Sequence, residues 1–164
     1  MAMNSALIAE LKHEAGSTRK ILERVPLENH SWKPHEKSME LKRIAVHIAE
    51  IPVWINRILS ADSFDFAAAK YDPSPVNDSQ ELVALLDKRV EEAAAALEGA
   101  SDEALRATWA MRAGDHVVRE MPKIVAIRNL ALNHIVHHRG QLSVYLRMLD
   151  VPVPGMYGPS ADER

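Results

Sequence analysis

The sequence predicts an all-α fold: a four-helix bundle with long inter-helix connections and a small hairpin before the last helix. Apolar residues recur at helical spacing in four long segments. Glycine is scarce, at six residues in 164, while the strong helix formers alanine and leucine are common. Helix-bounding residues fall between the segments, with Pro26 after the first, Asp78 and Gly99 around the third, and Pro122 before the fourth.

The first helix is expected from Ser5 to Arg24, with Leu7, Leu11, Thr18, Leu22 and Val25 on its inner face and Pro26 as its stop. Leu27 to Lys37 contains Pro34 and reads as a loop that Trp32 tucks onto the helices. Ser38 is an N-cap type, and a second helix follows with Leu41, Ile44, Ile48, Ile51, Ile55 and Ile58 as its stripe. Pro52 lies inside that stripe and should kink the helix, because it removes a backbone donor. Ala61 to Asn77 is a long connection, packed through Phe64 and Phe66. Asp78 and Glu81 have capping-box spacing and open a third helix that Gly99 ends. Ser101 caps a short turn. Thr108–Met111 and His116–Arg119 flank an Ala-Gly-Asp turn and form the hairpin. The fourth helix runs from Pro122, suited to a first-turn position, to about Leu149. Met156 and Tyr157 anchor an irregular tail.

With 164 residues and no internal repeat, the chain is expected to form one domain, 1–164. The formal net charge is −3 and the basic residues are scattered, so neither nucleic acid nor an acidic membrane is an expected partner. No apolar run is long enough to span a bilayer, and the N-terminus lacks the pattern of a secretion signal, so a cytoplasmic location is expected. The absence of cysteine excludes disulfides and thiolate ligands, and any nucleophilic thiol must come from a cofactor or substrate.

Eight histidines are many for this length. His134 and His138 are four residues apart on the last helix, so both imidazoles can reach one ion. At ~100° per residue, His138 falls ~40° from His134 within the apolar stripe, whereas His137 falls ~60° to the other side, at its edge. By the same count Arg139 points away from the core, at ~140°, and Gln141 lies near the site, at ~20° from His134. His47 borders the core face of the second helix and supplies a third ligand, with Glu50 one turn further on to bond a ligand imidazole or a water. Spacing alone leaves open the alternative of hydrogen-bonded core histidines. His13, His30, His35 and His116 sit among polar residues and read as surface positions; Trp54 and Tyr145 read as packing.

The run Asn133-His134-Ile135-Val136-His137-His138-Arg139-Gly140-Gln141 closely resembles the last-helix signature of the DinB-like (DinB/YfiT) family of metal-dependent enzymes. Leu41 to Ala49 resembles that family's second-helix motif, and Pro154 to Asp162 its closing segment. The resemblance implies a divalent metal, zinc or nickel, on His47, His134 and His138. It also implies a homodimer and a small-molecule ligand. Characterised relatives include transferases and isomerases that use low-molecular-weight thiols, so the expected function is a thiol-dependent S-transferase acting on small electrophiles. The alternatives are a metal-assisted hydrolase with Glu50 as base, and a non-catalytic metal-binding or stress-response protein.

Overall fold

The structure, a computed structural model, describes residues 2–163. Helix α1 (Met3–Leu22) buries Leu7, Leu11, Ile21 and Leu22. Ala2 has no capping side chain, and Asp102 takes that role from across the fold by accepting the Met3 N–H at 2.9 Å. A 3-10 turn (Leu27–Asn29) leads into the first connection, where the Trp32 ring meets Tyr145 edge-on at 5.6 Å.

The second helical segment is two helices, α2 (Leu41–Glu50) and α3 (Val53–Ser60), broken at Ile51-Pro52. The break follows from Pro52, which cannot donate to the carbonyl of Ile48. Ser38 is not the cap. The helix begins at Leu41, and the carbonyls of Trp32 and His30 accept the Leu41 and Lys42 N–H groups at 2.8 and 3.0 Å. Folded-back loop backbone thus does the work that a side-chain oxygen does at other helix starts. Helix α4 (Ser79–Glu98) is capped as its sequence predicts, the Asp78 carboxylate accepting the Glu81 N–H at 2.8 Å. Ser101 caps α5 (Asp102–Arg106) in the same way at 3.1 Å.

The all-α expectation needs correction, because the chain is mostly helical but carries a three-stranded sheet. The hairpin is present as β2 (Thr108–Ala113) and β3 (His116–Pro122), antiparallel, with Gly114 at φ 60° in the turn, a conformation that favours glycine. The third strand, β1 (Ser63–Asp65), lies in what reads as a connection and pairs parallel to β2, with Phe64 beside Met111. Trp54, Phe64 and Phe66 pack ring to ring at 4.9–5.3 Å, and this aromatic contact holds the strand against α3. Three residues are too few to show a strand's alternation, and their partner strand is more than forty positions downstream.

The last segment is also not one regular helix. After α6 (Lys123–Ile127) comes a π-helical turn (Arg128–Leu132), then α7 (Asn133–Met148). Helix α7 ends in a Schellman motif: the Val151 N–H reaches the Leu146 carbonyl at 3.0 Å, the Asp150 N–H reaches the Arg147 carbonyl at 3.2 Å, and Asp150 takes φ 57°. No helix among the described residues is long and apolar enough to cross a membrane.

The helical segments touch in a closed cycle: α1 on α4, α4 on α2 and α3, α2 on α7, and α7 on α1. Their apolar side chains form two clusters. One contains Leu7, Leu11, Ile51, Ile55, Trp109 and Ile135; the other contains Ile21, Leu22, Ile44, Ile48, Leu142 and Leu146. Along α1 the residues between the clusters include Glu14 and Thr18. Along α7 they include His138 and Arg139. His47 lies where the second segment passes from one cluster to the other. A polar layer therefore crosses the middle of the molecule.

Arg139 belongs to that layer and corrects the expectation of an interface or surface position, being only 1% exposed. Its guanidinium donates to the Glu14 carboxylate at 2.6 Å, to the Glu14 carbonyl at 2.9 Å, to Thr18 Oγ1 at 3.1 Å and to the Tyr157 hydroxyl at 2.6 Å. The Tyr157 hydroxyl in turn donates to Glu14 at 2.8 Å, which anchors the tail as the sequence predicts. Helix α7 lies between α1 and α2, so two of its sides are buried, and a count made from one apolar stripe sees only one of them. Removing one member strands a buried charge. Arg139→Ala should therefore lower unfolding stability by roughly 3–5 kcal/mol, read as a drop in urea midpoint at unchanged m-value. A loss under about 1 kcal/mol, the range of exposed pairs, would contradict this account.

Candidate metal centre

Contact between α2 and α7 brings together the three histidines that the sequence singles out. The one-turn spacing of His134 and His138 puts their Nε2 atoms 2.8 Å apart. Packing of α2 brings the His47 Nε2 to 3.4 Å from that of His134. One ring nitrogen from each residue lies within 4.8 Å of the other two, a cluster that could hold a metal ion. His47 and His134 are half-buried and His138 is buried.

Proton placement decides what such a cluster can bind. The carbonyl of Leu130 lies 3.3 Å from His134 Nδ1, and Gln141 Oε1 lies 2.7 Å from His138 Nδ1. Both partners can accept, so a proton on each Nδ1 leaves a bare Nε2 lone pair facing inward. In that tautomer the two lone pairs face each other across 2.8 Å and repel unless an electropositive centre lies between them. The separations also suit a metal: nitrogens bound to one ion at ~2.0–2.1 Å stand ~3.3 Å apart at a tetrahedral angle and ~2.9 Å apart at a right angle. The observed 3.4 and 2.8 Å are close to these two spacings, and all three ligand atoms lie within 4.8 Å of one another.

A proton is a poor candidate for that centre at neutral pH. Burial pushes the His47 pKa down from 6.5 to about 4, helped by the neighbouring His134 and His138 and opposed by Glu50. His134 and His138 are also lowered, first by burial, with the Leu130 carbonyl and Gln141 pulling the other way. Neutral imidazoles are the form that ligates, so an ion meets this site without having to displace protons.

The neighbours depart from expectation in part. Glu50 bonds no imidazole. Its carboxylate accepts the Tyr71 hydroxyl at 2.9 Å, the Ser74 N–H at 2.9 Å and the Ser74 hydroxyl at 2.6 Å, so it latches the connection between β1 and α4 beside the site. Gln141, expected near the site, bonds His138. His137 is exposed, with its ring edge-on to that of His138 at 4.9 Å, and it lies outside the cluster. His13, His30, His35 and His116 are exposed as expected. Tyr145 packs as expected, while Trp54 packs and also forms a wall of the cleft.

That cleft is the feature sequence reasoning missed. It has a volume of about 270 Å³ and opens against His47, with Ile51 and Trp54 as apolar walls and Arg57, Lys70 and Arg89 at its sides. Its residues come from α2, α3, α4 and a loop, so no sequence window contains them together. The Leu130 carbonyl was equally hidden, since it is a backbone group within the π-turn that precedes the HxxxH pair. Such turns recur at functional sites.

Comparison with known proteins agrees with the fold. The family model described as the DinB family matches residues 1–164. The uncharacterized protein YrdA of Bacillus subtilis (strain 168) is 28% identical over 158 residues, covering 92% of this chain and 85% of YrdA. Among solved structures, a DinB-like protein of Bacillus cereus ATCC 10987 superposes with a TM-score of 0.68 at 25% identity, over 89% of this chain and 92% of that one. The DinB-like protein YjoA of Bacillus subtilis gives 0.69 at 19% identity, over 97% and 99%, a likeness of fold. On the whole-chain match, this protein belongs to the DinB family.

Proposed function

We propose that the protein is a divalent-metal-dependent enzyme that uses His47, His134 and His138 as ligands and joins a low-molecular-weight thiol to a small electrophile. The observation that carries the metal reading is the convergence of the three ring nitrogens, with the Nε2 atoms of His134 and His138 2.8 Å apart and an acceptor beside each Nδ1. Three protein ligands leave positions for a substrate, the arrangement of catalytic rather than structural sites. Zinc and nickel both suit three imidazoles.

Either ion, when bound, supplies the Lewis acidity that keeps a thiol in its thiolate form at neutral pH. The chain supplies the rest. Gln141 and the Leu130 carbonyl orient two of the rings. Ile51 and Trp54 shield one side of the cleft from water. The Glu50–Tyr71–Ser74 latch keeps the loop at the mouth of the cleft. The sulfur bonds to the electrophilic carbon, the leaving group departs with its electron pair, and the thiol proton passes to solvent. The lack of cysteine supports an external thiol. A hydrolase would need Glu50 as a base, but three donors already occupy that carboxylate.

Three outcomes test this reading. Protein purified without a histidine tag should carry about one zinc or nickel per chain, the stoichiometry of a single catalytic site, by elemental analysis. The His47→Ala/His134→Ala/His138→Ala variant should carry none, and equal metal in both would refute the site. Gln141→Leu should weaken metal affinity by ~10–100-fold in a chelator competition, and unchanged affinity would remove Gln141 from the site. Metal-loaded protein should conjugate a small thiol to an electrophile, with the activity lost on chelation and in His138→Ala. Ester hydrolysis without added thiol would favour the hydrolase instead, and inactivity throughout would favour a non-catalytic role.

The pH dependence has a definite sign. The folded His47 pKa of about 4 lies below its ordinary 6.5, so the unfolded chain binds more protons between these values. Metal-free protein should therefore be most stable above pH 6.5 and lose that contribution as the pH falls toward 4. His47→Gln should flatten the decline in urea midpoint between pH 7 and 4.5, and an unchanged slope would show that His47 contributes nothing to it.

A further inference from the structure

The cleft beside His47 carries more positive charge than its surroundings neutralise. Arg57, Lys70 and Arg89 line it, and the carboxylates facing it are Glu50 and Asp72. Glu50 is occupied by Tyr71 and Ser74. Arg89 bonds Glu92 through Nη1 at 2.9 Å, but its buried Nε has no partner among the described residues. Arg57 and Lys70 form no ion pair among the described residues. The Arg57 guanidinium is held over the Trp54 ring at 4.8 Å and the Phe64 ring at 5.3 Å. Stacking of this kind orients the guanidinium plane while leaving its edge N–H groups available to an acceptor.

We propose that this cleft binds a small organic monocarboxylate, with Arg57 and Lys70 clamping the carboxylate while the other end of the molecule reaches the histidine cluster. Arg89 is paired with Glu92, which leaves Arg57 and Lys70 as the lining cations without an ion pair among the described residues, a pair that one carboxylate can bridge. A volume of about 270 Å³ lies just below the usual range of ligand cavities and suits a small molecule. Ile51 and Trp54 line the cleft along its apolar stem. The inference deepens the thiol-transfer reading and rests on it for the reacting end only. The clamp needs no metal.

The test uses 3-mercaptopropionate and its neutral counterpart 3-mercaptopropan-1-ol. Each is titrated into metal-free, ¹⁵N-labelled full-length protein while the Trp54 indole cross-peak is followed. The carboxylate should bind about tenfold more tightly than the alcohol, the scale of a charge-assisted clamp. Arg57→Gln/Lys70→Gln should bring the two affinities together, and because both side chains are exposed the variant should keep its fold. Equal affinities in the wild-type protein, a preference that survives the double substitution, or no movement of the Trp54 peak with either compound would each overturn the proposal. Cobalt uptake, followed separately by its visible spectrum, distinguishes the two readings. Uptake without carboxylate preference would sink the clamp alone, and preference without uptake would sink the metal reading alone.

Discussion

The buried pair between Arg139 and Glu14 is the constraint on which the arrangement of the site depends. A guanidinium that is 1% exposed is tolerable only if its donors are satisfied, and Glu14, Thr18 and Tyr157 satisfy them from α1 and from the tail. This fixes the rotation of α7 about its own axis, since any other rotation leaves a charge stranded in the interior. Successive residues on a helix point ~100° apart. Once Arg139 faces α1, His138 and His134 are committed to the opposite neighbour, α2, where His47 waits. The polar layer thus has two halves with different duties. One is an ion pair with its bonds complete, and the other is a histidine cluster with lone pairs to spare.

That division explains why the site lies between two apolar clusters rather than at one end of the molecule. Ile44 and Ile48 belong to one cluster and Ile51 to the other, and His47, between them in the chain, is half-buried. Desolvation keeps the imidazoles neutral. The break at Pro52 divides the second segment, and α3 contributes Trp54 and Arg57 to the cleft. The π-turn performs a related task before His134, placing the Leu130 carbonyl at the Nδ1 of the residue four positions on.

Much of this was legible in the sequence because it depends on local periodicity. The HxxxH pair, the choice of His138 over His137, the border position of His47, the caps at Asp78 and Ser101 and the break at Pro52 all follow from spacing and side-chain chemistry within a turn or two. What was not legible depends on partners remote in sequence. Arg139 looks like a surface residue until α1 is seen covering a second side of α7. Glu50 looks free until Tyr71 and Ser74 reach it. β1 looks like loop until β2 lies beside it. The π-turn leaves no mark in residue type, since Arg128-Asn129-Leu130-Ala131-Leu132 would suit an ordinary helix equally well.

The account reduces to the claim that three imidazoles share one ion. X-ray absorption at the metal edge of the loaded, untagged protein measures the ligand shell directly. The account predicts three imidazole nitrogens at ~2.0–2.1 Å, with lighter-atom ligands in the remaining positions. A shell with one imidazole or none, at full metal occupancy, would contradict it.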